Sequence, residues 1–320
     1  MLDFIKEVVT KHTDHVESIA DIFAGTGVVA NAFFQQGKKI IVNDLLDSNF
    51  VCYEAFFGSD PVDKDRVNFH LGKMNHLPFV ENYVSQNYGN RYFSNENAQI
   101  IGEARKYIES LTDVSKRERA ILLTSLIYAM DKSANTVGHY DAYRQKMDTL
   151  TPIVFKMPLY NTDDSKNAAL YNEDSNKLVS HIKADLVYID PPYNSRQYGD
   201  IYHVLENVVD WKMPKLYGVA MKPKDRSKTK SKYSTAEAPA TFDELIRNIS
   251  ARYILVSYNN MAKKGSGRSN AKISNDEIIR SLSKRGRVTI YSEDFQVYTT
   301  GKTNIDGHKE LLYLVEVTDK

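Results

Sequence analysis

The sequence has little of what disulfides, metal sites and membrane spans require. Cys52 is the one cysteine among 320 residues, which excludes an internal disulfide and leaves no thiolate pair for a metal. The eight histidines are scattered without the close spacing of zinc enzymes, so we expect no metal site. No run of about 18 apolar residues occurs, and the N-terminal pattern is an amphipathic helix without a signal-peptide core. We therefore expect a cytoplasmic protein.

The chain has almost no excess of charge of either sign, since 42 Lys and Arg balance 41 Asp and Glu to a formal net charge of +1. Positive charge is nevertheless concentrated in one segment. Residues 222 to 232, called the basic segment below, carry a cation at every second position: Lys222, Lys224, Arg226, Lys228, Lys230 and Lys232. An extended chain would present all of them on one side, which suits a polyanion such as DNA. The alternative is a solvated loop that keeps the protein soluble.

The pattern along the chain predicts an α/β fold with a helical insertion. After the N-terminal helix come a strand, a Gly-rich turn, a helix at about 28 to 36 and a strand ending at Asn43 and Asp44, which is half of a nucleotide-binding βαβ unit. Residues 50 to 166 change to helical patterns, the strongest at 115 to 132. Strand patterns return at 185 to 190, 253 to 260, 288 to 298 and 310 to 317.

The first motif that carries chemistry is DIFAGTGVVA, residues 21 to 30. Gly25 and Gly27 allow a tight turn and a close approach of the backbone to a ligand at the start of the next helix. Asp44, at the end of the next strand, can accept both hydroxyl protons of a ribose. The same pattern also fits a dinucleotide-dependent dehydrogenase or a turn that binds nothing.

The second motif, ADLVYIDPPYNSRQYGD, resolves that ambiguity. A buried strand ends at Asp190, and loops at the carboxyl ends of such strands bind ligands. Asp190 and a backbone carbonyl can accept the two N–H groups of an aromatic exocyclic amine, while Pro191 and Pro192 stiffen the loop without adding a donor. Tyr193 offers a face on which a base stacks. The alternative is a plain turn with a packed tyrosine.

These two motifs together resemble the Dam-like, alpha-type adenine-N6 DNA methyltransferases, which combine F-x-G-x-G with D-P-P-Y and use S-adenosylmethionine. The resemblance extends to NEDSNKL (172 to 178), DKSANTVGHYDAYRQK (131 to 146) and YILVSYNN (253 to 260), and DPPYNSRQY is similar to the restriction-modification branch. It implies a seven-stranded, mostly parallel methyltransferase sheet. Residues 1 to 55 and 168 to 320 would form the catalytic domain, and residues 56 to 167 a helical target-recognition insertion.

The resemblance also implies the roles of individual residues. The reaction falls to Asp190, Pro191, Pro192 and Tyr193, and an adenine must be flipped out of the duplex to reach them. We expect the cofactor to bind at Asp21, Phe23, Ala24, Gly25, Thr26, Gly27, Asp44, Asp174 and Asp190. We expect DNA to bind at Asn194, Arg196, Gln197, Tyr198, Lys222, Lys224, Lys228, Lys230 and Lys232. Arg196 could read a guanine edge, contact a phosphate or form an ion pair with Asp200.

Several expectations remain open at the level of sequence. Similar proteins carry a Y-x-G-x-K block before the first helix, whereas this chain begins inside that helix, so either the chain is truncated or another lysine substitutes. Tyr198, Tyr202 and His203 belong either to the site or to the core. The partners expected are double-stranded DNA and a cognate restriction system, with a monomer or weak dimer and a short palindrome such as CATG as target. The alternatives are a non-catalytic DNA-binding subunit and an RNA or protein-amide methyltransferase.

Overall fold

The computed structural model describes residues 1–147, 151–162, 167–193, 195–259, 271–294 and 309–318. The chain divides into two units. The first, called the sheet unit below, comprises Met1–Leu45, Asn167–Arg196 and Ser231–Lys320, and the second, called the helical unit, comprises Leu46–Lys166 and Gln197–Lys230. The sequence prediction had counted residues 46 to 55 and 197 to 230 with the catalytic domain. They group with the helical unit because the helix at Asp47–Phe57 packs on the long helix at Lys116–Ser133.

Seven strands form one sheet in the sheet unit. They are β1 Ser18–Asp21, β2 Lys39–Asn43, β3 Ala168–Tyr171, β4 Ala184–Ile189, β7 Ala251–Asn259, β8 Val288–Asp294 and β9 Lys309–Glu316. The order is β3-β2-β1-β4-β7-β9-β8, and the pairs are parallel except for β7 with β9 and β9 with β8. The expected seven-stranded, mostly parallel sheet is thereby confirmed.

Helices cover the sheet with apolar side chains. They are α1 Leu2–His12, α2 Val28–Phe34, α8 Ser175–Leu178, α11 Ala238–Asn248 and α12 Asn275–Leu282. The buried core of this unit includes Ile22, Ile189, Phe242 and Ile254. Strands that are buried on both faces explain the continuous apolar runs in the sequence, which is the pattern typical of parallel sheets.

The helical unit has a core of its own. Its helices are α3 Asp47–Phe57, α4 Lys64–Met74, α5 Tyr83–Tyr88, α6 Asn95–Ser110, α7 Lys116–Ser133, α9 Tyr198–Ile201 and α10 His203–Asp210. A small hairpin, β5 Leu216–Tyr217 and β6 Lys222–Pro223, follows them. The helix α7 is buried over most of its length and circumference, and its buried residues include Ile121, Leu122 and Leu126. Across the part of the chain that the structure describes, no helix is both long and apolar enough to cross a membrane.

Candidate active site

The turn after β1 is built to receive a ligand. Gly25 and Gly27 have φ of +52° and +75°, a conformation that L side chains avoid, and Gly27 caps the N-terminus of α2. A Cβ built at Gly25 would meet nothing within 4 Å, so the space beside this backbone is open. The N–H of Ala24 donates to the carbonyl of Asn43 over 2.9 Å, while Thr26 is exposed. The turn is thus anchored on one side and open on the other.

Asn43 forms hydrogen bonds with the loops that surround this site, although the sequence pattern indicated only that it ends a strand. Its side chain is fully buried; Nδ2 donates to the carbonyls of Ile22 and Glu173 over 3.1 and 3.0 Å. Its Oδ1 accepts from the N–H of Glu173. The hydroxyl of Ser175 donates to the same Ile22 carbonyl over 2.8 Å. A polar residue at the end of a buried strand, directly before Asp44, was the available signal.

Two carboxylates face this turn from the strand ends. Asp44 Oδ2 accepts a hydrogen bond of 3.0 Å from the N–H of Gly25, so the turn itself orients the carboxylate expected to bind a ribose. Asp21 is 1% exposed, and within the described residues neither of its carboxylate oxygens accepts a hydrogen bond of normal geometry, although the N–H groups of Ala30 and Phe23 are near enough to lower its pKa somewhat. Burial, followed by the charges of Asp190 and Asp44, raises the pKa of Asp21 to about 8. Such a group stays costly until it meets a donor or a cation.

The DPPY loop follows β4 beside that turn, since Asp21 and Tyr188 are register partners in neighbouring parallel strands. The Asp190 side chain is accessible to solvent, yet protein atoms crowd it, and this desolvation with the charge of Glu310 raises the pKa of Asp190 to about 7. Tyr193 packs edge-on against Tyr258, with centroids 6.3 Å apart, and keeps 41% of its surface exposed. An acceptor and a flat aromatic face therefore stand next to the Gly-rich turn.

Glu310 is a second member of the site that the sequence did not reveal. It lies in β9, far along the chain from the DPPY loop, and its charge contributes to the raised pKa values of Asp190 and Tyr193. Nothing in the ELLYLVEV pattern distinguishes this residue from an ordinary strand carboxylate. Four acidic side chains, Asp21, Asp44, Asp190 and Glu310, thus converge near the strand ends, and this concentration of negative charge suits a cationic ligand.

The other predicted residues have simpler surroundings. The exposed Asp174 caps α8, because its Oδ1 accepts from the N–H groups of Asn176 and Lys177. Phe23 packs edge-on against the buried Tyr233 at 5.0 Å. Asn194 lies outside the described residues. Arg196 is exposed and its carbonyl accepts from the hydroxyl of Ser234.

The residues around the start of α9 divide between surface and core. Gln197 is the N-cap of α9, and Tyr198 begins that helix with 38% of its surface exposed. Asp200, the alternative partner of Arg196, lies 3.0 Å from Nε of Arg226. His203 is a core residue: it is 2% exposed, its ring nitrogens face the carbonyls of Asp200 and Ala220, and burial lowers its pKa to about 4.

The basic segment does not have the expected extended conformation, and this prediction is wrong. It contains two 3-10 turns, Ser227–Thr229 and Lys232–Ser234, because Asp225 and Ser231 side chains accept from the N–H groups of Ser227 and Tyr233. These local hydrogen bonds favour turns over an extended chain. The strict alternation of sides that an extended chain would give is therefore interrupted at Ser227–Thr229 and Lys232–Ser234.

Most cations of the basic segment are paired with carboxylates. Nζ of Lys222 lies 2.8 Å from Asp141, and Nζ of Lys228 lies 2.8 Å from Oδ1 of Asp47. Lys232 lies 3.6 Å from Glu237. Among the described residues, Lys224 and Lys230 form no ion pair. Within those same ranges, no group of three or more His, Cys, Asp or Glu side chains could hold a metal ion.

Comparison with known proteins supplies the family. The family model of D12 class N6 adenine-specific DNA methyltransferases matches residues 1–266. The modification methylase StsI of Streptococcus sanguinis is 33% identical over 98% of this chain and 50% of its own length. LlaI of Lactococcus lactis subsp. lactis is 32% identical over 98% of this chain and 52% of its own length. The type II methyltransferase M.NlaIII of Neisseria lactamica is 29% identical over 97% of this chain and 94% of its own length.

Two features of these matches limit what can be inferred from the relatives about this chain. The chain spans about half the length of StsI and LlaI, so their whole activity does not transfer automatically. Among solved structures, the plantazolicin methyltransferase BamL matches with a TM-score of 0.33 and 9% identity over 98% of this chain and 82% of that chain, which is too distant to indicate a ligand. The family match nonetheless covers most of the chain, including both motifs. The chain belongs to the D12 class of N6 adenine-specific DNA methyltransferases.

Proposed function

We propose that this chain transfers a methyl group from S-adenosylmethionine to the exocyclic amine of an adenine in a specific duplex DNA site, as the modification enzyme of a restriction-modification system. The single observation that carries the proposal is the position of Asp190 and Tyr193 beside the open Gly25 turn and the buried Asp21, whose carboxylate oxygens accept no hydrogen bond of normal geometry within the described residues. A cationic methyl donor and an amine acceptor can meet there. The proposal rests also on membership of the D12 class.

The residues present fit S-adenosylmethionine. Asp21 and its neighbouring carboxylates suit a ligand with positive charge, and Asp44, already oriented by the N–H of Gly25, suits the ribose hydroxyls. The open space at Gly25 admits the ligand against the backbone. We assign Asp174 to the adenine of the cofactor, as the resemblance implies. When bound, S-adenosylmethionine supplies a methyl group on a positively charged sulfur.

The chain's own residues would prepare the acceptor amine. An aromatic amine is a poor nucleophile because its lone pair is delocalised into the ring, and two hydrogen-bond acceptors favour the localised form. Asp190 supplies one acceptor and a backbone carbonyl of the proline pair supplies the other. The exposed face of Tyr193 holds the flipped base by stacking, which contributes roughly 1–3 kcal/mol per base. Holding both reactants in line supplies much of the remaining rate enhancement.

We assign the sheet unit to catalysis and the helical unit to target recognition. The helical unit carries most of the basic segment, whose lysines suit phosphate contacts even though several are paired with carboxylates in the DNA-free chain. The partners we propose are double-stranded DNA and a cognate restriction endonuclease system, with the enzyme acting as a monomer or weak dimer in the cytoplasm.

Sequencing of DNA methylation at single-base resolution tests this function. A plasmid recovered from cells that express the chain should carry N6-methyladenine at one short site. The same plasmid from cells expressing Asp190→Ala should be unmodified at that site. An unmodified plasmid with the wild-type chain, together with DNA binding by the purified protein, would instead indicate a non-catalytic DNA-binding subunit. Methylated RNA or protein amides without methylated DNA would also contradict the proposal.

A further inference from the structure

The helical unit carries a second group of acidic and aromatic side chains, to which neither the Gly-rich motif nor the DPPY tetrapeptide contributes. It consists of Tyr128, Asp131, Tyr140, Tyr198 and Tyr202, and is called the tyrosine–aspartate surface below. Tyr128 and Asp131 lie one turn apart on the same side of α7, near its C-terminal end. Tyr198 and Tyr202 come from the two ends of α9, and their rings are stacked 6.3 Å apart at 8°.

Local hydrogen bonds hold this surface together. The hydroxyl of Tyr140 donates to Oδ1 of Asp131 over 2.7 Å, and the N–H of Tyr140 donates to the carbonyl of Ile201 over 2.9 Å. The loop before Tyr140 is fixed by the buried Asn135, whose Nδ2 donates to the carbonyls of Arg91 and Arg144. The end of α7, this loop and α9 are therefore joined by hydrogen bonds within the helical unit.

Asp131 is the unusual member. A carboxylate near the C-terminal end of a helix is disfavoured by the helix dipole. Burial raises its pKa, and no lysine or arginine in the described ranges forms an ion pair with it. The residue is nevertheless exposed, and its described hydrogen bonding is limited to Oδ1 and the Tyr140 hydroxyl. The Asp131 carboxylate can therefore accept a hydrogen bond from a donor outside the protein.

The neighbouring tyrosines indicate what the donor is. Tyr128 lies one turn from Asp131 in α7, and Tyr140 links Asp131 to Ile201, the residue before Tyr202. Burial chiefly raises the pKa values of Tyr128 and Tyr202, and the charge of Asp131 raises both further. Tyr128 is 46% exposed, which leaves aromatic surface beside the acceptor, and Tyr198, stacked on Tyr202, is 38% exposed. An exocyclic amine on a nucleobase matches this pairing, because aspartate accepts from the amine edge of cytosine and tyrosine stacks on base faces.

We propose that Asp131 reads the exocyclic amine of a base in the recognition site other than the methylated adenine, supported by the exposed faces of Tyr128 and Tyr198. This inference rests on the proposed DNA methyltransferase function and makes Asp131 a specificity-determining residue of that reaction. The amine belongs to a cytosine or to a second adenine, and the two are distinguished by the base analogue that removes it.

The test combines one variant with base analogues that lack the amine. Single-turnover methylation is measured on duplexes that carry the site found by sequencing, with 2-pyrimidinone replacing one cytosine or purine replacing one non-target adenine at a time. In the wild-type enzyme, one such replacement should lower the rate by roughly 10- to 100-fold. Asp131→Ala should be slower by a similar factor on the unmodified site, and the same analogue should then cost about twofold or less, because the two changes remove the same contact.

Tyr140→Phe is the matched control, since it keeps Asp131 and removes the hydroxyl that donates to it. It should retain the full analogue penalty. If Tyr140→Phe and Asp131→Ala behave alike, or if every analogue costs the same factor in the wild type and in Asp131→Ala, Asp131 does not read a base and the inference is overturned. A wild-type chain that methylates no DNA would instead overturn the proposed function.

Tyr128→Ala keeps the inference testable if Asp131→Ala does not fold, because Tyr128 is exposed and its removal leaves the Tyr140 hydrogen bond intact. Loss of its stacking face should lower the affinity for the duplex by roughly 10-fold or more, whereas Tyr128→Phe should bind as the wild type does. Equal affinity in all three proteins would show that this surface does not contact DNA.

Discussion

The carboxylates at the site of the sheet unit and the cations of the basic segment differ in whether an opposite charge lies beside them. Asp21 is buried and accepts no hydrogen bond of normal geometry within the described residues, and Asp190 has a raised pKa because protein atoms crowd it and the charge of Glu310 lies nearby. In the basic segment, Lys222 and Lys228 are each paired with a carboxylate. A cationic ligand would stabilise the buried and crowded carboxylates of the sheet unit, whereas most cations of the basic segment already have a carboxylate partner elsewhere in the chain.

The largest effect is expected at Asp190. Asp190→Ala should lower the methylation rate by roughly 10²- to 10³-fold or more, because it removes a positioned hydrogen-bond partner of the transition state. The variant should fold, and its thermal midpoint at pH 8 should equal or exceed that of the wild type, since it removes a carboxylate with a raised pKa. A rate equal to that of the wild type would remove the DPPY loop from the chemistry.

The second-largest loss of activity is expected on substitution of Tyr193. Tyr193→Ala removes the exposed stacking face and should weaken productive binding of the flipped adenine by roughly 10- to 100-fold in kcat/KM. Tyr193→Phe is the matched control and should stay within a few-fold of the wild type, because the ring is kept. If both variants lost activity equally, the hydroxyl rather than the ring face would be essential.

Asp44→Ala should weaken binding of S-adenosylmethionine by roughly 10- to 100-fold, since ribose hydroxyls and the Gly25 N–H would lose their acceptor. Asp47→Ala is the control, because Asp47 is a paired carboxylate in the helical unit. Calorimetric titration should show normal cofactor affinity for that control. Unchanged affinity in Asp44→Ala would place the ribose elsewhere.

Much of the fold was predictable because it follows from local patterns. Apolar runs that end at Gly25, Asp44 or the proline pair mark strands and their carboxyl ends, and parallel strands bring those ends to one edge. The sequence did not predict that Asn43 and Glu310 belong to the site, because their roles depend on contacts with residues distant in the chain. The extended conformation predicted for the basic segment was wrong because alternating charges are equally compatible with turns. Hydrogen bonds to the side chains of Asp225 and Ser231 favour the turns.

A pH dependence should distinguish the buried acid from an ordinary one. The pKa of Asp21 in the folded chain is about 8, above the ordinary value of about 4, so its contribution to stability is lost as pH rises between these values. The thermal midpoint of Asp21→Asn relative to the wild type should therefore be higher at pH 8 than at pH 5. Wild-type affinity for S-adenosylmethionine should rise over the same range, and Asp21→Asn should flatten that rise. The same difference in midpoint at both pH values would contradict this assignment.

The smallest effects are expected from the basic segment. Lys230→Ala should weaken binding to all duplexes alike and reduce the salt dependence of log K by up to about one unit, as for a lost phosphate contact. Lys228→Ala should change less, because that lysine must first leave Asp47. Fluorescence anisotropy at several salt concentrations measures both. A change in site preference with an unchanged salt slope would mean that the segment reads bases.

The most direct test of the account is the single-turnover methylation rate of Asp190→Asn on cognate duplex DNA, measured beside Asp190→Ala. An amide oxygen can still accept one N–H but cannot take up a proton at neutral pH. If Asp190 acts as an acceptor that localises the amine lone pair, Asp190→Asn keeps a measurable rate, below the wild type and clearly above Asp190→Ala. An asparagine variant as inactive as the alanine variant would contradict this and indicate that Asp190 removes the proton outright.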